Sequence, residues 1–366
     1  MPRFCLDGVW LARLDHGDER ERRWLVDGQL TSEPVPDATV ITGWVLPGLV
    51  DAHCHVGLDA HGAVPPAESE AQALADRAAG ALLLRDAGSP ADTRWIDDRL
   101  DLPRIIRAGR HIARPKRYLR NYADEVDPAD LVTAVERQVA RSDGWVKLVG
   151  DWIDRDVGDL TPLWPVELAR LAIDRAHELG ARVTAHVFGE QAATELVEAG
   201  IDGIEHGSGL TDPTIALMAE RQVALVPTLV QLENFPSFAA AADARFPTYA
   251  AHVRALYASR HQVIGAAIDA GVPVYAGTDA GGYQPHGRVG DEIGELARIC
   301  SSTYALGAGS WRARAWLDRD LHARGEAGEI AAGRAPDLVV YPTDPRTDLA
   351  VLAHPSAIFL RGVRVA

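Results

Sequence analysis

Residues 46–55 read Leu-Pro-Gly-Leu-Val-Asp-Ala-His-Cys-His. Side chains alternate along a strand, so His53 and His55 project to one side and Cys54 to the other. Two imidazoles about 7 Å apart on one strand face can close on a single metal ion. That makes a metal site a better reading than a cysteine-based one, although a bare His-x-His also fits two histidines satisfied at a strand end. Four further residues tip the balance. His186 ends the run Val-Thr-Ala-His, His206 sits in Ile-Glu-His-Gly, Asp279 in Gly-Thr-Asp-Ala-Gly, and Lys147 in Trp-Val-Lys-Leu-Val. Each alone has a bland explanation, such as a helix-capping aspartate or a core histidine. Six such groups near the ends of five strands ask for a common cause.

Lys147 is one of only two lysines, with Lys116, among 37 basic residues. An ammonium between apolar neighbours and cationic metals is costly, so its pKa should fall. The neutral amine can then add carbon dioxide to give a carbamate, an anion with two oxygens able to bridge two divalent ions. Arginine cannot follow, because its guanidinium stays protonated. The alternatives are a buried lysine paired with Asp151, or a snorkelling one.

These residues need strands whose ends converge. Eight short apolar runs alternate with helical ones: 49–56, 81–87, 104–110, 145–150, 182–188, 203–207, 224–230 and 273–278. Helices are expected at 165–179, 191–199, 215–220 and 253–270, several closed by glycine. Eight strand–helix pairs predict a (β/α)8 barrel, an α/β fold whose chemistry lies at the C-terminal strand ends. The competing arrangement, an open doubly wound sheet, lacks a Gly-x-Gly-x-x-Gly after the first strand. Both ends of the chain are strand-rich, with short runs at 9–13, 23–26 and 39–41. Residues 1–47 and 327–366 are therefore expected to form one small β-domain beside a barrel spanning 48–326.

Composition bounds the function. The net charge of −15 disfavours nucleic acid and anionic membranes as partners. No apolar stretch is long enough to span a bilayer. Three cysteines without a Cys-x-x-Cys pair, and no secretory pattern near residue 1, point to the cytoplasm.

The motifs at 47–55, 202–207 (Asp-Gly-Ile-Glu-His-Gly), 277–281 and 328–340 (Gly-Glu-Ile-Ala-Ala-Gly-Arg-Ala-Pro-Asp-Leu-Val-Val) together resemble the amidohydrolase superfamily. The likeness is to its imidazolonepropionase-like branch of metal-dependent prolidases and carboxypeptidases. The resemblance implies a terminal β-sandwich beside the barrel. It implies that His53, His55 and Asp279 hold one metal ion, usually zinc, that His186 and His206 hold a second, and that carboxylated Lys147 bridges them. The implied reaction is hydrolysis of a C–N bond in a small substrate by a hydroxide bridging the two metals, with Asp279 as proton shuttle.

The loop after the third strand departs from the family pattern. Seven Lys/Arg and no Asp/Glu fall between Arg104 and Arg120. Because such loops build the pocket, an anionic substrate is expected, with Arg117 clamping its carboxylate and Tyr122 contacting the carbonyl. These cations could instead pair with surface acids such as Asp124, or sit at a subunit contact in a homo-oligomer. Two alternatives to the binuclear reading stand beside it. One is a mononuclear deaminase or imidazolonepropionase-like enzyme, for which a glutamate three residues after His186 would be usual; the chain has Gly189 there, with Glu190 next. The other is a non-catalytic barrel scaffold.

Overall fold

The computed structural model describes residues 2–11, 20–323 and 333–366. Seven parallel strands, Leu49–Cys54, Ala81–Asp86, Arg104–Arg107, Trp145–Val149, Arg182–Val187, Gly203–His206 and Ala224–Val226, follow one another around a ring. Direct parallel pairing joins the first three and the last four. Between these groups, Ile112, further along the third-strand segment, pairs with Leu148. The eighth segment is hydrogen-bonded on both sides without becoming a regular strand. Val274 bridges Leu225, Ala52 N–H donates to Ala276 O at 2.9 Å, and Thr278 N–H donates to His53 O at 3.0 Å. These bonds bring the ring back to its first strand.

Branched and aromatic side chains fill the barrel interior. Val50, Leu83, Ile106, Trp145 and Val226 share one buried cluster, capped by Trp316. Arg182 stacks on Trp145, 4.0 Å from its ring centroid. Outward-facing residues such as Cys54, Leu84, Val146 and Ala185 pack instead with the helices in a larger cluster. The expected helices appear at Val166–Glu178, Glu190–Ala199, Asp212–Arg221 and Pro247–Asp269. The seventh strand is shorter than its apolar run suggests. Pro227 follows it, Thr228 takes a left-handed φ of 47°, and Leu229–Leu232 turns into a helix. The buried Glu292 carboxylate accepts the N–H groups of Leu229 and Val230, both at 2.9 Å, and so fixes that turn.

Both termini enter one seven-stranded sheet, in the order Val363–Arg364, Ala357–Leu360, Leu338–Tyr341, Thr39–Pro47, Phe4–Trp10, Arg20–Val26, Gln29–Thr31. The edge strand Gln29–Thr31 is bonded to the segment that leads into Leu338–Tyr341. Leu30 N–H donates to Arg334 O and Gly333 N–H to Leu30 O, at 2.9 and 2.8 Å. Phe4, Leu6, Leu25, Leu338 and Phe359 form its own apolar core. Ala12 and Arg13 of the expected first run, the boundary at 327, and residues 328–332 of the C-terminal motif lie outside the described residues. No helix among the described residues is long and apolar enough to cross a membrane.

Candidate metal centre and active-site cavity

His53 and His55 leave the first strand on the same side, and their Nε2 atoms stand 3.2 Å apart. Asp279 Oδ1 lies 3.1 Å from the first and 3.0 Å from the second. The opposite ring nitrogens are committed elsewhere. His55 Nδ1 sits 2.7 Å from Gly88 O, and a carbonyl can only accept, so Nδ1 carries the proton. His53 Nδ1 sits 2.7 Å from Glu205 Oε2. Burial alone would raise Glu205, but Arg85, His53 and Lys147 hold it well below the usual carboxylate range, so it too faces an N–H. With Nδ1 committed, each ring has its Nε2 left to meet Asp279. Burial likewise works against the charge on Asp279, and His53, His55 and His206 override it.

A second group adjoins the first. His206 Nε2 and His186 Nδ1 face each other at 2.9 Å. Ligand atoms of His53, His206 and Asp279 also lie within 4.8 Å of one another. Strand alternation cannot aim both Glu205 and His206 inward. The backbone resolves this with a left-handed φ of 67° at His206, and Asp279 uses the same device at 58°. Thr228 Oγ1, 2.7 Å from His206 Nδ1, fixes that ring. Burial, and then His206 and Lys147, keep His186 well below its ordinary pKa, and burial, against the pull of Asp279, brings His206 down to about 3, so both imidazoles are neutral at physiological pH. Lys147 is 1% exposed, and burial lowers it to about 8. It is not paired with Asp151, whose carboxylate accepts the N–H groups of Phe188 and Gly189.

Above this floor lies a cavity of about 210 Å³. The loop after the third strand contributes Tyr118, Leu119 and Tyr122, and the hairpin Asp151–Pro162 contributes Trp152. Helices after the seventh strand add Gln231, Phe238 and Tyr249, and Tyr283 closes the rim. Tyr122 thus lies where the sequence suggested. Arg117 does not line the cavity: Nη1 bonds Asp154 at 2.9 Å, and Nη2 bonds Thr161 Oγ1 at 2.7 Å and two carbonyls. Its terminal nitrogens staple the loop to the hairpin and are not available to clamp a substrate carboxylate. Arg110 is held likewise by the carbonyls of Tyr122 and Asn121.

Residues 162–365 match the sequence pattern of the Amidohydrolase family. The chain belongs to that family. It is a hydrolase of carbon–nitrogen bonds. An uncharacterized protein of Mycobacterium tuberculosis is 58% identical to this amidohydrolase over 344 residues, 93% of this chain and 90% of that one. A solved Xaa-Pro dipeptidase with bound methionine in its active site superposes with a TM-score of 0.81 at 20% identity, covering 99% of both chains. A prolidase complexed with N-methylphosphonate-L-proline does so at 0.76 and 23%, again over 99% of both. At such identities these structures establish the shared fold, a (β/α)8 barrel with a β-sandwich. They belong to the prolidase-type branch that the motifs resembled.

The donor set of this amidohydrolase fits divalent cations. Nitrogen or oxygen donors about 2.0–2.1 Å from a tetrahedral zinc stand roughly 3.3 Å apart. The triangle of His53 Nε2, His55 Nε2 and Asp279 Oδ1, with edges of 3.2, 3.0 and 3.1 Å, matches one face of that tetrahedron. Glu205 behind His53 is the carboxylate–histidine arrangement common behind metal ligands. Glu205 lies in the Ile-Glu-His-Gly motif, where strand alternation alone does not aim it at His53. His111, in the loop after the third strand, is buried, 4.9 Å from His55 between ring centroids, with Nδ1 unpartnered among the described residues. A Cβ on Gly88 would come within 3.1 Å of His111 N and 3.3 Å of Lys147 Cβ, so only glycine, here at φ 107°, fits between them. Trp152, Phe238, Tyr249 and Tyr283 carried no sequence signal, because they converge from separate segments.

Proposed function

We propose that this amidohydrolase is a binuclear metal enzyme that cleaves an amide-like C–N bond of a small molecule. His53, His55 and Asp279 hold one divalent ion, His186 and His206 the other, and N-carboxylated Lys147 lies between them, with zinc the ion that suits so many imidazoles. The observation that carries this reading is the triangle of His53, His55 and Asp279. Two imidazole nitrogens and a carboxylate oxygen stand about 3 Å apart, with the opposite ring nitrogens committed to Glu205 and Gly88 O, and such a donor set suits a divalent ion. Bound divalent ions supply Lewis acidity and a water acidic enough to act near neutral pH. The chain's own groups do the rest. Glu205 and Gly88 O hold the rings of His53 and His55 in the ligating tautomer, and Thr228 steadies His206. Asp279, ionised and at the cavity floor, takes a proton from the attacking water and passes it to the leaving nitrogen.

The mononuclear deaminase reading is disfavoured by Glu190, which turns away from the floor to His252, 3.1 Å from its Nε2. A scaffold would have no need of four buried imidazoles gathered about one carboxylate with a buried lysine nearby. The three cysteines are unpaired, in keeping with a cytoplasmic enzyme. The test is hydrolysis of a panel of small amides by protein stripped with a chelator and then reloaded with zinc. Turnover should vanish on stripping and return on reloading. Full turnover in stripped protein would contradict the proposal.

A further inference from the structure

We infer that the substrate is uncharged and carries an aromatic ring, rather than a free carboxylate beside the scissile amide. This rests on reading the site as a hydrolase and adds what the cavity selects. Seven Phe, Tyr and Trp rings, among them Tyr118, Tyr122, Trp152, Phe188, Phe238 and Tyr283, line it from separate segments of the chain. Several of them meet in pairs. Tyr118 meets Trp152 edge-on at 4.8 Å, and Phe238 meets Tyr283 at 5.3 Å between centroids. Tyr283 keeps 49% of its surface exposed at the rim, where it is open to an incoming ring. Ring walls of this kind favour offset-stacked or edge-on contact with another aromatic group.

The charge of the cavity points the same way. Its lining contains no lysine or arginine. Of the basic loop overhead, Arg117 is held by Asp154 and Thr161 and Arg110 by two carbonyls, and Arg114, Lys116 and Arg120 do not line the cavity. The groups suited to hold cations are confined to the floor, where the reacting carbonyl belongs. A carboxylate farther up would be buried against rings without a partner, which is strongly unfavourable. The net charge of −15 would also slow its approach. The polar atoms in the wall are neutral. Tyr122 Oη is buried without a partner among the described residues, and Gln231 accepts from Asn234 Nδ2 through Oε1 at 2.9 Å while lining the cavity. Such groups recognise an amide or carbonyl, not an ion.

The experiment uses zinc-loaded protein and compounds on one scaffold, with 4-acetamidobenzamide as the neutral control matched in size to the carboxylate. Turnover is compared for acetanilide, its para-carboxylate 4-acetamidobenzoate, 4-acetamidobenzamide, and N-cyclohexylacetamide. Binding is measured by calorimetry with the non-hydrolysable ketones phenylacetone and 4-(2-oxopropyl)benzoate. The neutral aromatic compounds should lead each series by about tenfold or more in kcat/KM or Kd, the scale of one well-matched buried group. Tyr283→Ala, at an exposed rim position that tolerates truncation, should raise KM for acetanilide about fivefold or more with kcat held. Equal or better handling of the carboxylates, or an unchanged KM in Tyr283→Ala, would overturn the inference and leave the hydrolase reading intact. Selective binding of phenylacetone without turnover of any amide would uphold the cavity's preference and overturn the hydrolase reading instead.

Discussion

Lys147→Met in metal-free, carbonate-free protein isolates the energetic position of the bridging lysine. Met closely matches the neutral lysine side chain in shape, so the substitution removes the charge and little else. Burial lowers the amine from 10.5 to about 8 in the folded state. At 1.36 kcal/mol per pH unit, that is about 3 kcal/mol by which the folded protein disfavours the protonated form. The sign follows from which state binds the proton. Below pH 8 the lysine is charged in both states and the folded protein bears the whole penalty. Between pH 8 and 10.5 the unfolded chain binds more protons, so stability rises with pH, and above 10.5 the penalty is gone. Urea unfolding of the two proteins at matched pH reads it directly. Lys147→Met should be more stable by about 3 kcal/mol at pH 7, and the gain should shrink towards zero near pH 10.5. No gain at pH 7, or a gain independent of pH, would refute the reasoning that a readily neutralised amine awaits carboxylation here.

Three further outcomes are expected. Asp279→Asn should lower kcat by more than about 100-fold with a smaller effect on KM, and an Asn variant retaining about a tenth of the rate would remove Asp279 from proton transfer. Glu205→Gln should weaken zinc affinity by about 10–100-fold, measured by competition with a chromogenic chelator, because His53 loses its anionic partner; unchanged affinity would mean that Glu205 serves only the buried Arg85. Lys147→Ala should lose activity and regain part of it with short carboxylic acids that stand in for the carbamate, whereas Lys147→Arg should not respond, and an active Lys147→Arg enzyme would refute the carbamate.

The parts of the site legible in the sequence were those set by local periodicity. His53 and His55 share a side because a strand alternates, and Cys54 accordingly packs into the core outside the barrel. The alternation of strands and helices placed His186, His206, Asp279 and Lys147 near one mouth. What alternation could not supply was aim. Glu205 and His206 are neighbours that both face the floor, which takes a left-handed backbone at His206 that a histidine does not advertise. Long-range partners were equally hidden. Arg117 reads as a free cation until Asp154 and Thr161, 37 and 44 residues later, fold back on it. The seventh strand stops short of its apolar run because Glu292, more than sixty residues away, captures the next two amides. The eighth segment carries its signature Gly-Thr-Asp yet never becomes a regular strand: Ala276 N–H turns to Ala308 O, and Thr278 N–H is shared between His53 O and the Asp51 carboxylate.

The central claim is a binuclear centre built by six side chains. Elemental analysis of purified protein reconstituted with zinc, on the same sample assayed for turnover, tests it most directly. The account predicts two zinc ions per chain at full activity, falling towards one in Lys147→Ala. One ion or fewer per chain in fully active wild-type protein would contradict it.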